Sequence, residues 1–438
     1  MDQLFQIDWS FIDRIGSNPF LAMWFFIANG GWLIFVYMAY HAALLIWKDW
    51  RQTLYKRTKT YVVLAIDIPR ATEQGPRAVE NMFAYLSGAH STLSWTEEWI
   101  GGLTQDVISC ELVSIEGRIQ FYVRIVTKFR DLVEAAVYAQ YPEAEITEVT
   151  DYALDVPGHY PDEEWDLWGT ELTPVKSDVF PIKTYESFED KMSMEFKDPL
   201  SAMFESLGRI GPGEQAWYQI VLTPIGQGEF QKKCETMVKK LTGMHVPPPP
   251  TLVEHAVGLP FKGLQMVAEG LLGSSTPAAP AKPPEKPQSK YGQLTAGEKE
   301  VVDAVYKKSS KTAYLVKMRF IYVAKKQVMS KARIVQPFIG AIKQFSSNTL
   351  QALKPESKHV GVNGTLWWFK ASRNNERKSH LMSAYRGRSN WSGLKSFHMT
   401  VDELATLWHF PHSLQIRAPQ MKKTNAKRME PPTNLPFG

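Results

Sequence analysis

His409 and His412 stand close together in the segment WHFPH. Three residues apart on a helix, two imidazoles can share one ion. Pro411 breaks that helix, and no carboxylate or thiol stands at ligand spacing, so the pair reads as a packed helix end. Glu163, Glu164 and Asp166 crowd the stretch DEEWDLWGTE. A general acid–base pair needs two carboxyls in contrasting surroundings, and these read as solvated acidic surface. The dipeptide Gly-Lys never occurs, which removes the phosphate loop and its nucleotide site. GRIGPG (208–213) has the wrong glycine order for a dinucleotide fingerprint and follows a helical pattern, so it reads as a turn. No zinc-protease helix, paired cysteines or serine elbow appears either. The residues therefore predict a non-enzyme with no catalytic, cofactor-binding or metal site.

The other chemistry-bearing residues are cations. Residues 286–438 carry 27 Lys+Arg against 8 Asp+Glu, a net of +19, while the rest of the chain carries −14. Lys325, Lys326, Lys331 and Arg333 flank one expected helix. Arg373, Arg377, Lys378, Arg386 and Arg388 cluster around another, with Trp367, Trp368, Tyr385 and Trp391 interleaved. Cations beside aromatics suit single-stranded nucleic acid, through phosphate contacts and stacking. They equally suit a partner protein or a membrane surface, and opposite charge on the two halves also suits attraction between the halves themselves.

The elements that must position these residues begin with an uncharged run, Phe20–Trp47. As a helix its 28 residues would be roughly 42 Å long, enough to cross a hydrocarbon core of about 30 Å. The expectation is one transmembrane helix over 20–47 after a short extracytoplasmic N-terminus over 1–19. Residues 1–19 hold Arg14 against three aspartates, and residues 48–59 hold five cations against Asp49. Basic flanks stay inside, which predicts a single-pass cell-membrane protein, N-terminus out and C-terminal body cytoplasmic, with the lipid bilayer as a partner. Cys110 and Cys234 are too isolated to form a disulfide framework, in keeping with a reducing compartment.

The fold class expected beyond the span is α+β, built of ferredoxin-like (split βαβ) modules. Over 48–152, TYVVLAIDIP (60–69) reads as a strand and RAVENMFAYLSGAH (77–90) as an amphipathic helix. ISCELVSIEGRIQFYVRIV (108–126) reads as two strands across a Glu116–Gly117 turn, followed by a helix over 129–142 and a strand over 144–152. That order is βαββαβ. Residues 153–245 begin a second α+β module, with strand 217–225 and helix 228–241. The basic part, 291–416, continues it with strand 315–324, helix 328–345, strand TLWWFKAS (365–372) and helices 379–388 and 401–410. Between the two lies a Pro-rich linker, 246–290, enclosing LVEHAVGLPFKGLQMVAEGLLG (252–273), a short packing helix or an amphipathic one. Residues 417–438 form an extended basic tail.

The blocks FYVRIVTKFRDLVEAAVYAQYPEAEITEVTDY (121–152), DLWGTELTPVKSDVFPIKTYESFED (166–190), DPLSAMFESLGRIGPGEQAWYQIVLTP (198–224), LTAGEKEVVDAV (294–305) and DELATLWHFP (402–411) resemble a known family. They are similar to the N-terminal, membrane-anchored region of TraG/HerA-like conjugative, type IV secretion-like ATPases of uncultivated bacteria. In that family a segment like EPPTNLP leads into a motor domain, and here the sequence ends soon after it, at Gly438. The resemblance implies a non-enzymatic, membrane-anchored scaffold or adaptor of a secretion, conjugation or pilus-like machine, docking a separate motor ATPase. The alternative is a membrane-tethered nucleic-acid-binding subunit that guides DNA to a pore. A hexameric motor partner would imply a homo-oligomeric ring.

Overall fold

Alternating apolar runs and short turns build the first module. In the computed structural model, which describes residues 20, 32–69, 74–188, 198–244, 290–362 and 369–411, β1 is Tyr61–Asp67 and α2 is Pro76–Leu86, with α1 preceding both. Pro76 starts α2, where its missing N–H costs nothing, and Val79, Met82, Phe83 and Leu86 bury one stripe. β2 (Ile108–Ile115) and β3 (Arg118–Val126) close on Glu116 and Gly117, whose φ angles of 51° and 85° are those of a type I′ hairpin turn. α3 (Arg130–Tyr138) and β4 (Glu145–Val149) complete the unit, and the strands pair antiparallel in the order β4-β1-β3-β2.

The second module repeats this plan. β5 (Trp165–Pro174), α4 (Ser201–Gly208), β6 (Glu214–Pro224), β7 (Ala313–Lys325), α7 (Lys331–Lys343) and β8 (Leu353–Pro355) again run βαββαβ. Their sheet order, β6-β7-β5-β8, matches β2-β3-β1-β4. α5 (Gln227–Leu241) and α6 (Ala296–Ser309) are inserted between β6 and β7. The rest comprises α8 (Lys370–Arg386), β9 (Phe397–Thr400), which pairs the start of β7, and α9 (Val401–Leu407).

The two modules are not separate bodies. β2 pairs antiparallel with β6 from Ile108↔Leu222 to Ile115↔Gln215, and Glu111 faces Gln219 at the middle of the seam. The result is a single nine-stranded sheet in which each module covers the other's open edge. One face carries Leu64, Leu112, Ile220, Met318 and Phe320, buried under α2, α3, α4, α7 and α9. Trp408, just beyond α9, wedges among Phe83, Phe121 and Phe410, and Phe338 of α7 stacks on Phe320 at 3.6 Å. The opposite face is covered by α8, through Leu381, Met382 and Tyr385. Gly169 permits this approach, because a Cβ there would lie 2.5 Å from Leu381 Cδ2.

Residues up to Thr60 and Ser91–Gln105 form a second, small unit. Its main element is α1, Trp32–Arg57. Within it Lys48 pairs with Glu98, and Arg51 Nε donates to the Ile100 carbonyl (2.8 Å).

The expected membrane span is overturned. Among the described residues no helix is long and apolar enough to cross a membrane. The described uncharged part of α1 is Trp32–Trp47. Lys48, Asp49 and Arg51 then continue the same helix. Among the described residues the fold class is α+β with no membrane-crossing helix, so the expected single-pass, N-terminus-out membrane localisation is not supported. The N-terminal segment 1–19, residues 21–31 of the expected span, the linker 246–289, His412 and the tail lie outside the described residues. Of the expected strand 365–372, residues 370–372 open α8 instead, and 365–368 lie outside the described residues.

Candidate functional site

At paired positions within β2, β6, β7 and β5 stand Glu111, Gln219, Arg319 and Glu171. Strand alternation turns all four toward the α8 face, and all are buried. Arg388, one turn beyond α8, grips Glu111 with two hydrogen bonds, Nε to Oε1 (2.9 Å) and Nη2 to Oε2 (3.1 Å). It also donates from Nη2 to Asp151 (2.9 Å). Ser109 and Tyr152 donate to Glu111 (2.6 and 2.7 Å), and Tyr152 and Tyr385 share a hydrogen bond of 2.7 Å. Gln219 donates to Glu111 (3.0 Å) and accepts from Arg319 (3.1 Å). Arg319 Nε then donates to Glu171 (2.9 Å), whose other oxygen accepts from the Leu394 N–H (2.6 Å). One continuous polar layer thus crosses the seam between the modules.

Burial pushes the Glu111 carboxyl up, but the Arg388 charge and its hydrogen bonds outweigh this and hold it below its ordinary value. Burial would lower Arg388, yet the Glu111 partner raises it above the usual arginine range. Burial sends the Tyr152 and Tyr385 phenols well up. Groups fixed in such mutual pairs hold elements together and have no proton to trade at neutral pH.

Lys317 is buried near Glu171 and Arg319, and its amine donates to the Ser392 carbonyl (2.8 Å). Burial lowers its pKa to about 8, against the pull of Glu171. An unfolded lysine titrates at about 10.4. Between these values the unfolded chain binds more protons, so stability rises with pH there. Lys317→Met is expected to flatten that rise, which urea melts at roughly pH 7 and pH 10 would measure.

The nine candidate contact residues divide between the two sheet faces. Lys331 and Arg333 begin α7 on one face, while Arg373, Arg377, Lys378 and Arg386 ride on α8 on the other. Arg333 pairs with Glu214, Lys378 with Asp166, and Arg388 with Glu111 and Asp151. Arg377 donates to the carbonyls of Lys358 (2.7 Å) and Gly361 (3.0 Å), and Arg386 to those of Ala153 and Val156. Lys325 lies 6.0 Å from the Trp165 ring centroid, and Lys326 and Lys331 are exposed. Lys311–Glu80 and Lys307–Glu186 likewise join the basic half to the acidic one. Lys307, Lys311, Arg319, Arg333, Lys378 and Arg388 of the +19 segment thus pair with carboxylates of the −14 segment. His409 is a packed helix end, with Nδ1 against the Ala405 carbonyl (2.7 Å) and Nε2 against Asp198 (3.1 Å).

Beside the polar layer an open cleft of about 270 Å³ lies along α8, lined by Glu171, His359, Arg377, His380, Leu381 and Gly393. Gly393, at φ +93°, lets the 389–394 segment rest on Glu171, since a Cβ there would meet the carboxylate at 2.3 Å. The sequence signal for this site was available. It is a charged or amide residue set among apolar neighbours in each of four β-rich runs, a costly placement unless the groups meet.

A duplicated split-βαβ arrangement in one antiparallel sheet, with a buried polar layer across the seam, defines an α+β protein. A family model described as a domain of unknown function (DUF8128) matches residues 48–424, and the chain belongs to that family. No curated protein matches it. Neither finding supports the secretion and conjugation terms that the resemblance implied.

Proposed function

We propose that this chain is a non-enzymatic docking scaffold whose partner is a separate phosphate-loop motor ATPase. The observation that carries this is α1. Phe35 (62% exposed), Val36, Met38, Leu45 and Ile46 (70% exposed) stand open along it, and Trp95 and Ile100 of the same unit are exposed too. Covering such side chains is worth about 1.5–3 kcal/mol each, and contiguous apolar patches of this kind mark protein interfaces. Among the described residues no helix is long and apolar enough to cross a membrane, and the reading takes a protein partner as the occupant. The motor class of that partner comes from the sequence resemblance. The paired charge seam supports a holding role, because its acids and bases are committed to one another.

The test is affinity purification of the full chain from its native cells, with identification of what accompanies it. A phosphate-loop ATPase in stable amount is expected. Repeated recovery of the chain alone, or only of further copies of itself, would overturn the proposal. So would nucleotide hydrolysis by the isolated chain.

A further inference from the structure

We propose that the cleft along α8 binds a small organic anion, a phosphate or carboxylate on a compact apolar body, independently of any docking partner. Its volume of about 270 Å³ is close to the lower end of small-molecule sites, which begin at about 300 Å³. The lining divides into a charged wall, an apolar wall and a neutralised floor.

The charged wall is Arg377. Among the described residues its guanidinium has carbonyl partners only, Lys358 and Gly361, and no carboxylate. Arg319, Lys378 and Arg388, its neighbours around α8, each have one. Two carbonyls therefore hold a positive charge in place without neutralising it, which is the preorganised state an anion site needs. His359 and His380 stand at the rim, His380 with its side chain 75% exposed. His359 Nδ1 lies 3.3 Å from Glu356 and His380 Nε2 lies 3.7 Å from Glu376.

The floor is Glu171, which would repel an anion if its charge were open. It is not open, because Arg319 and the Leu394 N–H occupy its two oxygens and Gly393 presses against it. The apolar wall is Val360, Leu381 and Ala384. Among the lining residues Glu171 is the one carboxylate and Arg319 pairs with it, so the lining favours an anion over a cation.

Calorimetric titration of the full folded chain tests this with phenyl phosphate, benzoate and, as the cationic counterpart, benzylamine. Saturable one-to-one binding of at least one anion is expected, and the two anions separate phosphate from carboxylate preference. Benzylamine should give none. Arg377→Gln should weaken binding about tenfold, the loss of one charge-assisted pair. Arg377 also ties two loop carbonyls, so His380→Ala, at an exposed rim position, provides a variant that leaves the fold intact and should weaken binding about threefold. Lys326→Gln, on an exposed loop, should change nothing. No saturable heat with either anion up to about 10 mM would overturn the proposal. So would benzylamine binding as well as the anions, or unchanged affinity in His380→Ala.

Discussion

Arg388→Met is expected to cost about 3–5 kcal/mol of unfolding free energy, measured by guanidinium denaturation, because it strands buried charge. Arg388 and Glu111 are both fully buried, and Asp151 is mostly so. Removing the guanidinium leaves Glu111 with Ser109, Tyr152 and Gln219 as donors but without its ion-pair partner, and Arg124 is the cation that remains within its field. The loss should depend on pH with a definite sign. Glu111 is held below its ordinary value in the folded state, so its contribution is present above the unfolded carboxylate range and fades as pH falls through the folded value. Arg388→Met should therefore be less damaging in acid, where Glu111 can take a proton. A second change, Glu111→Leu, should restore part of the loss, since an ion pair replaced whole costs far less than one broken. A penalty below about 1 kcal/mol for the single variant would mean that the seam is not a closed layer.

Trp408→Ala should cost a comparable amount, about 3–5 kcal/mol, from cavity formation on the other side of the sheet. Trp408 is fully buried, with ring centroids 5.3 Å from Phe121, 5.9 Å from Phe83 and 5.2 Å from Phe410. It binds α9 to α2 and to β3, which lie far apart in sequence. Its indole N–H has no hydrogen-bond partner among the described residues, and such a buried donor carries a penalty of its own. Trp408→Phe keeps most of the ring volume and discards that donor, so it should cost less than about 1.5 kcal/mol. Thermal or chemical melts of the two variants side by side give the comparison. Equal losses would show that the ring is not close-packed.

The strand–turn–strand at 108–126 was legible because Glu116–Gly117 interrupts two β-rich runs, and local turn chemistry decides such hairpins. The amphipathic stripe of α2 was legible for the same local reason. A second module of the same style could be inferred from the recurrence of strand, turn and helix. Its fusion to the first through β2 and β6 could not. That pairing joins residues about a hundred positions apart, and no local period reports it. Arg388 illustrates the limit at the level of one side chain. In the dipeptide Gly-Arg beside a tryptophan it resembled a surface cation, yet it is buried in the charge seam. The uncharged run at 20–47 signalled a span by composition alone. The charged second half of α1 shows that the helix is not partitioned where the apolar run stops.

The docking role stands or falls on α1. The most direct measurement is quantitative capture of partner proteins by the full chain and by a Phe35→Glu/Met38→Glu variant, both checked for intact folding by circular dichroism. Both side chains are exposed, so the variant should leave the nine-stranded sheet unchanged. The account predicts that a phosphate-loop ATPase accompanies the unaltered chain and falls by about tenfold or more with the variant, as charge entering an apolar interface requires. Undiminished capture by the variant, or the absence of any such ATPase from both samples, would contradict it.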